Sequence, residues 1–403
     1  MKRIAIKEVC EVYDGPHATP KKTDNGPVYL GIDAITEDGM LDPSQFAHLS
    51  EEDYVKWTKR VTPQENDIVF SYEATLGRYA VIPKNFYGCL GRRLAIVRII
   101  NDELNAKWLY YYFRSPEWTS FIKNQTVKGS TVDRISIEEF PEYTIPVISL
   151  EDQNKIVDVL DKIDRKIADN KKINDYLEEM AKTIYDYWFV QFDFPDENGN
   201  PYKSSGGKMI FCKELNRNIP QNWEYTSVGN ITKCLDSDRI PLSSHQREEM
   251  KGTIPYYGAT GIMDYVNRPI FSGDFVLLAE DGSVMDDNGN PILQRISGDV
   301  WINNHTHVLQ PVNGYSCRLL YLLLKNIPVS MIKTGSIQLK INQANLNSYN
   351  ILNIPKEIRT QFINQIEPMD TKIIQLQKEN NILVQTRDWL LPILMNGQAT
   401  IED

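Results

Sequence analysis

IVDVLDKIDRKIADNKKINDYLEEMAKTIYDYW, residues 156–188, carries the pattern from which the fold follows. From Ile156 the seam positions step by four and three: Leu160, Ile163, Ile167, Asn170, Asn174, Leu177, Ala181, Ile184 and Trp188. That alternation is the seam of a helix packed on another helix. A second seam in the same phase lies 206 residues further on: Phe362, Ile366, Met369, Ile373, Leu376, Asn380, Leu383, Arg387, Leu390 and Leu394. Pro368 lacks the donor a helix interior needs, so the second helix is expected to break before it and restart. The long pieces are then 163–189 and 368–395, each roughly 40 Å. Matched length and phase, with Asn174 and Asn380 at corresponding seam positions, predict an intramolecular coiled coil whose register a buried polar pair can fix. The other reading is two helices, each packed on its own domain.

The repeat extends outward from the seams. At the same offset Gly129-Ser130 falls on Gly335-Ser336, Ile135 on Ile341, Tyr143 on Tyr349, Ile145 on Ile351 and Asp164 on Asp370. At an offset of 207, Asp67-Ile-Val-Phe falls on Asp274-Phe-Val-Leu. Short apolar runs such as 67–72, 94–100 and 274–279, bounded by Gly, Pro, Asn and Asp, read as strands. Stretches 105–113 and 317–324 read as short helices. The predicted class is α+β. One domain covers 1–150 and a long helix 151–191. A Gly-, Pro- and Asn-rich linker follows over 192–220, then a second domain over 221–356, and a helix with its tail over 357–403. An antiparallel coil would place the domains at opposite ends, related by a pseudo-twofold axis.

Composition narrows the function. The 403 residues are 41% hydrophobic, enough for more than one core. No apolar run spans a membrane, and the first residues form no secretory signal, so a cytoplasmic chain is expected. Five scattered cysteines without a CxxC argue against a disulfide framework or a cysteine zinc site. A net charge of −10 argues against nucleic acid unless positive charge is gathered locally.

Motifs for chemistry are missing or incomplete. Gly206-Gly207-Lys208-Met209 lacks the hydroxyl that ends a phosphate-binding loop, and no GxGxxG follows a strand. Asn200-Pro201-Tyr202 and Asn290-Pro291-Ile292 lack the second proline of an amino-methyltransferase loop. Asp238 with Glu249-Met-Lys251 has the letters of a metal-dependent nuclease, but in a segment with no strand pattern. His305 and His307 offer two metal ligands without an evident third. No metal site, and no catalytic residue, is therefore expected.

What the two domains do offer is donors near loops. The first carries Lys21, Lys22, Arg78, Arg92, Arg93, Lys123, Asn124, Lys128, Ser130, Thr131 and Arg134. The second carries Arg239, Ser243, Ser244, His245, Arg247, Asn304, His305, Lys333, Ser336, Gln338 and Lys340. Arg, Lys, Asn and Gln read base edges, while Ser and Lys serve phosphates. Lys128-Gly-Ser and Thr334-Gly-Ser recur at matched positions, as turns whose backbone amides suit a phosphate.

This pattern resembles the DNA specificity subunit of type I restriction–modification systems. Three phrases carry the likeness: Ile184-Tyr-Asp-Tyr-Trp-Phe-Val-Gln-Phe-Asp, Ile219-Pro-Gln-Asn-Trp-Glu, and Ile145-Pro-Val-Ile-Ser-Leu-Glu-Asp-Gln. The resemblance covers essentially the whole chain. It implies that each α+β domain is a target recognition domain reading one half of a bipartite, asymmetric DNA sequence. The helices would be a spacer, and the chain non-catalytic. It implies two adenine-N6 methyltransferase subunits as partners, holding S-adenosylmethionine, and restriction subunits that bring ATP and Mg. Domains held about 40 Å apart suit half-sites slightly more than one turn of B-DNA apart. Exposed apolar surface is expected where the methyltransferase docks, with Trp188, Phe189 and Trp389 as candidates. A scaffold without a DNA role is one rival reading, and a metal-dependent nuclease through Asp238, Glu249 and Lys251 is the other.

Overall fold

The computed structural model describes residues 2–128, 132–335 and 339–401. The chain divides into two units, one made of Met1–Asp169 with Asn380–Asp403, the other of Asn170–Glu379.

The first unit begins with β1 (Lys2–Ala5), β2 (Cys10–Asp14), β3 (Thr23–Leu30), β4 (Ala47–His48), α1 (Glu51–Trp57) and β5 (Ile68–Ser71). It continues with β6 (Tyr79–Val81), β7 (Gly88–Leu90), β8 (Leu94–Ile99), α2 (Ala106–Phe113), α3 (Pro116–Gln125), β9 (Thr144–Val147) and the long helix α4 (Leu150–Tyr185). β2-β8-β5-β6 form an antiparallel sheet. β3 joins β4 antiparallel and β7 parallel, and β1 pairs with β9. Ile-Val-Phe-Ser of β5 is buried throughout, as a strand covered on both faces should be. Asn105 caps α2 by accepting from the amides of Lys107 and Trp108, and Ser115 caps α3 ahead of Pro116. These caps seat Trp108, Phe113 and Trp118 in one core with Phe70 and Phe140.

The second unit holds β10 (Met209–Cys212), β11 (Arg217–Pro220), β12 (Glu224–Ser227), α5 (Val228–Ile231), β13 (Thr232–Cys234), α6 (Ser244–Glu249), β14 (Lys251–Gly258) and β15 (Gly261–Val266). Then come β16 (Phe271–Ala279), β17 (Leu293–Ile302), β18 (Thr306–Pro311), α7 (Cys317–Lys325), β19 (Lys333–Thr334), β20 (Lys340–Ile341), α8 (Gln343–Ser348), β21 (Asn350–Asn353) and α9 (Lys356–Met395). The main sheet runs β13-β18-β16-β17-β14-β15. Its first four strands repeat the order of β2-β8-β5-β6, and β12–β21 repeats β1–β9. The 206-residue repeat is thus one scaffold built twice. Ser316 caps α7, whose buried Leu319, Leu320, Leu323 and Leu324 enter the main core.

The two long helices pack antiparallel within each unit. In the first, Arg387 Nη1 donates to Asp164 at 2.9 Å and Asn380 Nδ2 to the Ile167 carbonyl at 3.3 Å. In the second, Asn170 Nδ2 donates to Glu379 at 3.0 Å, and the Phe362 ring meets those of Tyr185 and Phe189. Leu160, Ile167, Ala181, Ile366, Ile373, Leu376 and Leu394 are buried, as the seams require.

Three expectations are corrected. The second helix does not break at Pro368; α9 runs unbroken for 40 residues. Pro368 sits on the exposed face, and the seam buries Phe362, Ile366, Ile373 and Leu376 on both sides of it. One lost ladder bond on a wet face is outweighed by that burial. The stretch 192–220 is not a free linker. Phe192 and Phe194 are buried, Phe194 stacks on Trp223 at 4.8 Å, Asp193 accepts from the Ser204 amide and hydroxyl, and β10 and β11 form a hairpin. Third, Trp188 and Phe189 are not exposed docking residues. A single π-helical turn, Asp186–Val190, ends the first helix and directs both side chains into the core. Among the described residues no helix is long and apolar enough to cross a membrane.

Candidate nucleic-acid interface

Each unit sews a small hairpin onto the end of a central sheet strand. In the first, the Ile135 amide donates to the Tyr72 carbonyl at 2.8 Å, and Val127 and Arg134 exchange backbone bonds of 2.9 and 3.1 Å. Glu73, just past β5, bridges to Arg134 and takes an ion pair from Arg93. In the second, the Ile341 amide donates to the Glu280 carbonyl at 2.9 Å, and β19 pairs with β20. Asp281 bridges to Lys340, whose ammonium lies 3.0 Å from Glu280. The hairpins match at the repeat offset, Ile135 to Ile341 and Arg134 to Lys340. Ser130, Thr131, Ser336 and Gln338 lie outside the described residues.

The other donors fall into two groups. Lys21, Lys22, Arg92, Lys123, Lys128, Arg134 and Lys333 are exposed and make no ion pair among the described residues. Asn124, at the end of α3, is exposed, as are Asn304 and Ser244. Ser243 caps α6 through a capping box with Gln246, and His245 is exposed beside Glu249. The rest are held by acids or carbonyls of the chain itself. Arg78 donates to the Ile35 carbonyl and Arg93 pairs with Glu73. Arg239 is held by Glu280 at 2.7 Å and by Asp236, and Arg247 by Asp264 at 3.0 Å above the Tyr256 ring. His305 pairs with Asp281 and Lys340 with Glu280. Arg78, Arg93, Arg239 and Arg247 thus shape the loops from within, while His305 and Lys340 stay exposed despite their partners.

Beneath the second hairpin lies a clamp that no sequence motif marks. His307 is 2% exposed. Its Nε2 donates to the Ile341 carbonyl at 2.8 Å, and its Nδ1 is hydrogen-bonded to Asp236. A carbonyl and a carboxylate both only accept, so both ring nitrogens carry protons. Burial pulls the imidazole pKa down, but the Asp236 bond and charge, with help from Ile341 and Glu280, outweigh it and raise it. Burial likewise opposes ionisation of Asp236, and His307 overcomes that and holds its carboxyl low. Cys234, Asp236 and His307 stand close enough to hold an ion, the one such cluster among the described residues. The donor set does not fit one here. Both imidazole nitrogens are occupied, and the Arg239 guanidinium stands 3.5 Å from Asp236. Burial also pushes the Cys234 thiol up to about 12, away from the thiolate a metal needs.

The letters of the nuclease reading have separate partners. Lys251 pairs with Asp264 and Glu248, Glu249 with His245, and Asp238 sits on a one-turn 3-10 helix.

The long helices carry a second candidate surface, facing away from their seams. Ile173, Tyr176 and Met180 stand exposed on α4, and Tyr187 on the turn that follows it, at spacings of three, four and seven. On α9, Ile382 is 64% and Trp389 65% exposed. Ile382 lies 206 residues after Tyr176, so the two outer stripes share that one apolar position. The alternation that revealed the seams, read one face over, would have found them.

Fold and surfaces together define a tandem-repeat α+β protein, with one scaffold built twice and a long antiparallel helix pair. The model of the type I restriction modification DNA specificity domain matches residues 1–179 and 220–385. The chain belongs to that family of specificity subunits, the non-catalytic components of type I restriction–modification systems. It is similar to the specificity subunit of type I restriction enzyme MjaIX of Methanocaldococcus jannaschii, 28% identical over 376 residues, covering 88% of this chain and 82% of that one. It is also similar to a putative type I restriction enzyme specificity subunit of Haemophilus influenzae, 32% identical over 146 residues, covering 36% and 37%. Its fold is that of the crystal structure of a type I restriction–modification S subunit from M. genitalium, with a TM-score of 0.54, 17% identity and coverage of 98% and 95%.

Proposed function

We propose that each unit reads one half of a bipartite, asymmetric DNA sequence. The observation that carries this reading is the repeated hairpin. The same hairpin hangs from the same strand end in both units, but with different side chains at matched positions: Lys128 against Thr334, Arg134 against Lys340. One scaffold bearing two donor sets reads two different short sequences. Exposed Lys21, Lys22, Arg92, Lys123 and Lys128 supply the local positive charge that the net charge of −10 withholds, together with Lys333 in the second unit.

The outer stripes, which share the position of Tyr176 and Ile382, offer one apolar surface on each long helix for two copies of one partner. The reading assigns them to two adenine-N6 methyltransferase subunits, through which restriction subunits attach. Trp389 keeps its place as a docking candidate, and Ile173, Tyr176 and Met180 take the place of Trp188 and Phe189. S-adenosylmethionine belongs on the methyltransferase subunits, ATP and Mg on the restriction subunits, and none on this chain.

The test is modified-base sequencing of DNA from cells expressing this chain with its methyltransferase subunit. N6-methyladenine at one bipartite motif with a fixed gap, lost when this chain is omitted, is the expected result. Methylation without such a motif, from an assembled complex, would sink the reading and favour a plain scaffold.

A further inference from the structure

Arg318 is a fully charged side chain that is only 2% exposed. It leaves α7 and reaches both long helices. Nη1 and Nη2 donate to the two carboxylate oxygens of Glu178 on α4, the latter at 2.8 Å. Nε donates to Asp370 on α9 at 2.7 Å. Arg295 of β17 also donates to Asp370 and lies 3.8 Å from Glu178. Two guanidiniums from the recognition domain thus close a ring with two carboxylates, one from each helix. Burial lowers the Arg295 pKa, and the neighbouring Arg318 charge lowers it further, so the acids are what hold this like-charged pair together. Beside the ring runs a cleft of about 420 Å³, lined by Asp274, Ser297, Gln310, Glu367 and Gln377 among others. The joint is therefore open on one side and pinned by charge on the other.

The first unit has a joint at the matching place. Asp164 lies 206 residues before Asp370. It accepts from the Tyr111 hydroxyl of α2 at 2.8 Å and from Arg387 of α9 at 2.9 Å, with Arg114 at 3.9 Å. A cavity of about 370 Å³ lies beside it too, lined by Met40, Leu41, Phe46, Tyr110 and Tyr111 among others. One carboxylate position on the long helices thus holds the short helix of the recognition domain in both units, and the opposite helix adds a base in one and an acid in the other.

We infer that Asp164 and Asp370 are positioning residues for DNA recognition: each fixes the angle at which its recognition domain is carried on the helices. A buried ion pair contributes little net stability compared with an apolar substitute, and it repays its desolvation only in a close, well-aligned geometry. Apolar packing alone, beside an open cleft, would leave the domain several. The inference rests on the half-site reading above, since the angle matters only if each domain meets its own stretch of DNA.

The experiment maps N6-methyladenine in cells expressing the methyltransferase with wild type, Asp164→Asn, Asp370→Asn, Asp370→Glu or Arg318→Lys. Complex assembly and thermal midpoint are followed in parallel. An error of roughly 1 Å in placement can cost about a hundredfold in rate. Methylation at the native gap should therefore fall about ten- to a hundredfold in Asp370→Asn and Asp164→Asn. Sites with one base pair more or fewer should gain relative to it. Arg318→Lys keeps the charge without the fork and should fall between. Asp370→Glu keeps charge and fold while lengthening the arm, so it decides the matter if Asp370→Asn fails to assemble. Assembled variants that methylate the native motif at the wild-type rate and gap overturn the inference. A wild-type complex that yields no bipartite motif overturns the half-site reading, and this inference with it.

Discussion

At the scale of single residues, the chain uses buried charge to set geometry. His307 gives the clearest pH signature. Its folded pKa is raised, so the stabilisation it provides is fully present below the ordinary histidine value of about 6.5 and is lost as pH rises through the higher folded value. Thermal melts from pH 6 to pH 9 should therefore show the second unit weakening with rising pH, and His307→Gln should flatten that slope. At pH 6 the substitution should cost about 1.5–3 kcal/mol, the usual contribution of hydrogen bonds to a charged group. An unchanged slope would show that His307 is neutral. Surface lysines have a different signature. Lys21→Ala with Lys22→Ala should flatten the fall of log affinity with log salt by about 0.9 for each phosphate left unneutralised, without touching the melting point. The sequence showed these lysines as donors but could not separate free charges from paired ones. Arg239 and Arg247 read like Lys22 until the fold places Glu280, Asp236 and Asp264 against them. His307 and Asp236 stand 71 residues apart, so no local spacing announces the clamp.

At the scale of elements, the long helices were the most legible part, because a heptad seam is a property of the sequence alone. Phe362 anchors it in the second unit, meeting the rings of Tyr185, Trp188 and Phe189. Phe362→Ala should cost about 3–5 kcal/mol in a denaturant titration, through lost burial and a residual cavity. Pro368 marks the limit of a local rule. A proline rule is a rule about one hydrogen bond, and the burial on either side of Pro368 exceeds that cost. The π-helical turn at Asp186–Val190 was invisible for a related reason: Trp188 lies on the seam, but the heptad count leaves its neighbour Phe189 off it, and the turn brings both into one core. The outer stripe provides the converse test. Trp389→Asp and Tyr176→Asp should weaken methyltransferase binding in titration calorimetry while leaving the chain's own melting point in place. A stripe that serves only solubility would show no such loss.

For the whole molecule, the repeat makes the strongest statement. On the proposed half-site reading, replacing residues 1–149 by the same segment of a relative should change one half of the methylated motif and leave the other half and the gap unchanged. The repeat itself was visible at offsets of 206 and 207, because strand ends and turns constrain residue type even where loops diverge. What those loops recognise was not visible, because base readout depends on which donors face inward and on how the DNA bends. The folded stretch between the halves has a practical corollary. Phe192, Phe194 and the β10–β11 hairpin lie in the same core as Trp223 and the end of α4. A protease offered the native chain will therefore meet a stretch anchored at Phe192, Phe194 and Ile219, with exposed turns at residues 197–200 and 203–206. An expression fragment of the second half begun at residue 221 would leave its aromatic lid behind; one begun at Asn170 keeps it.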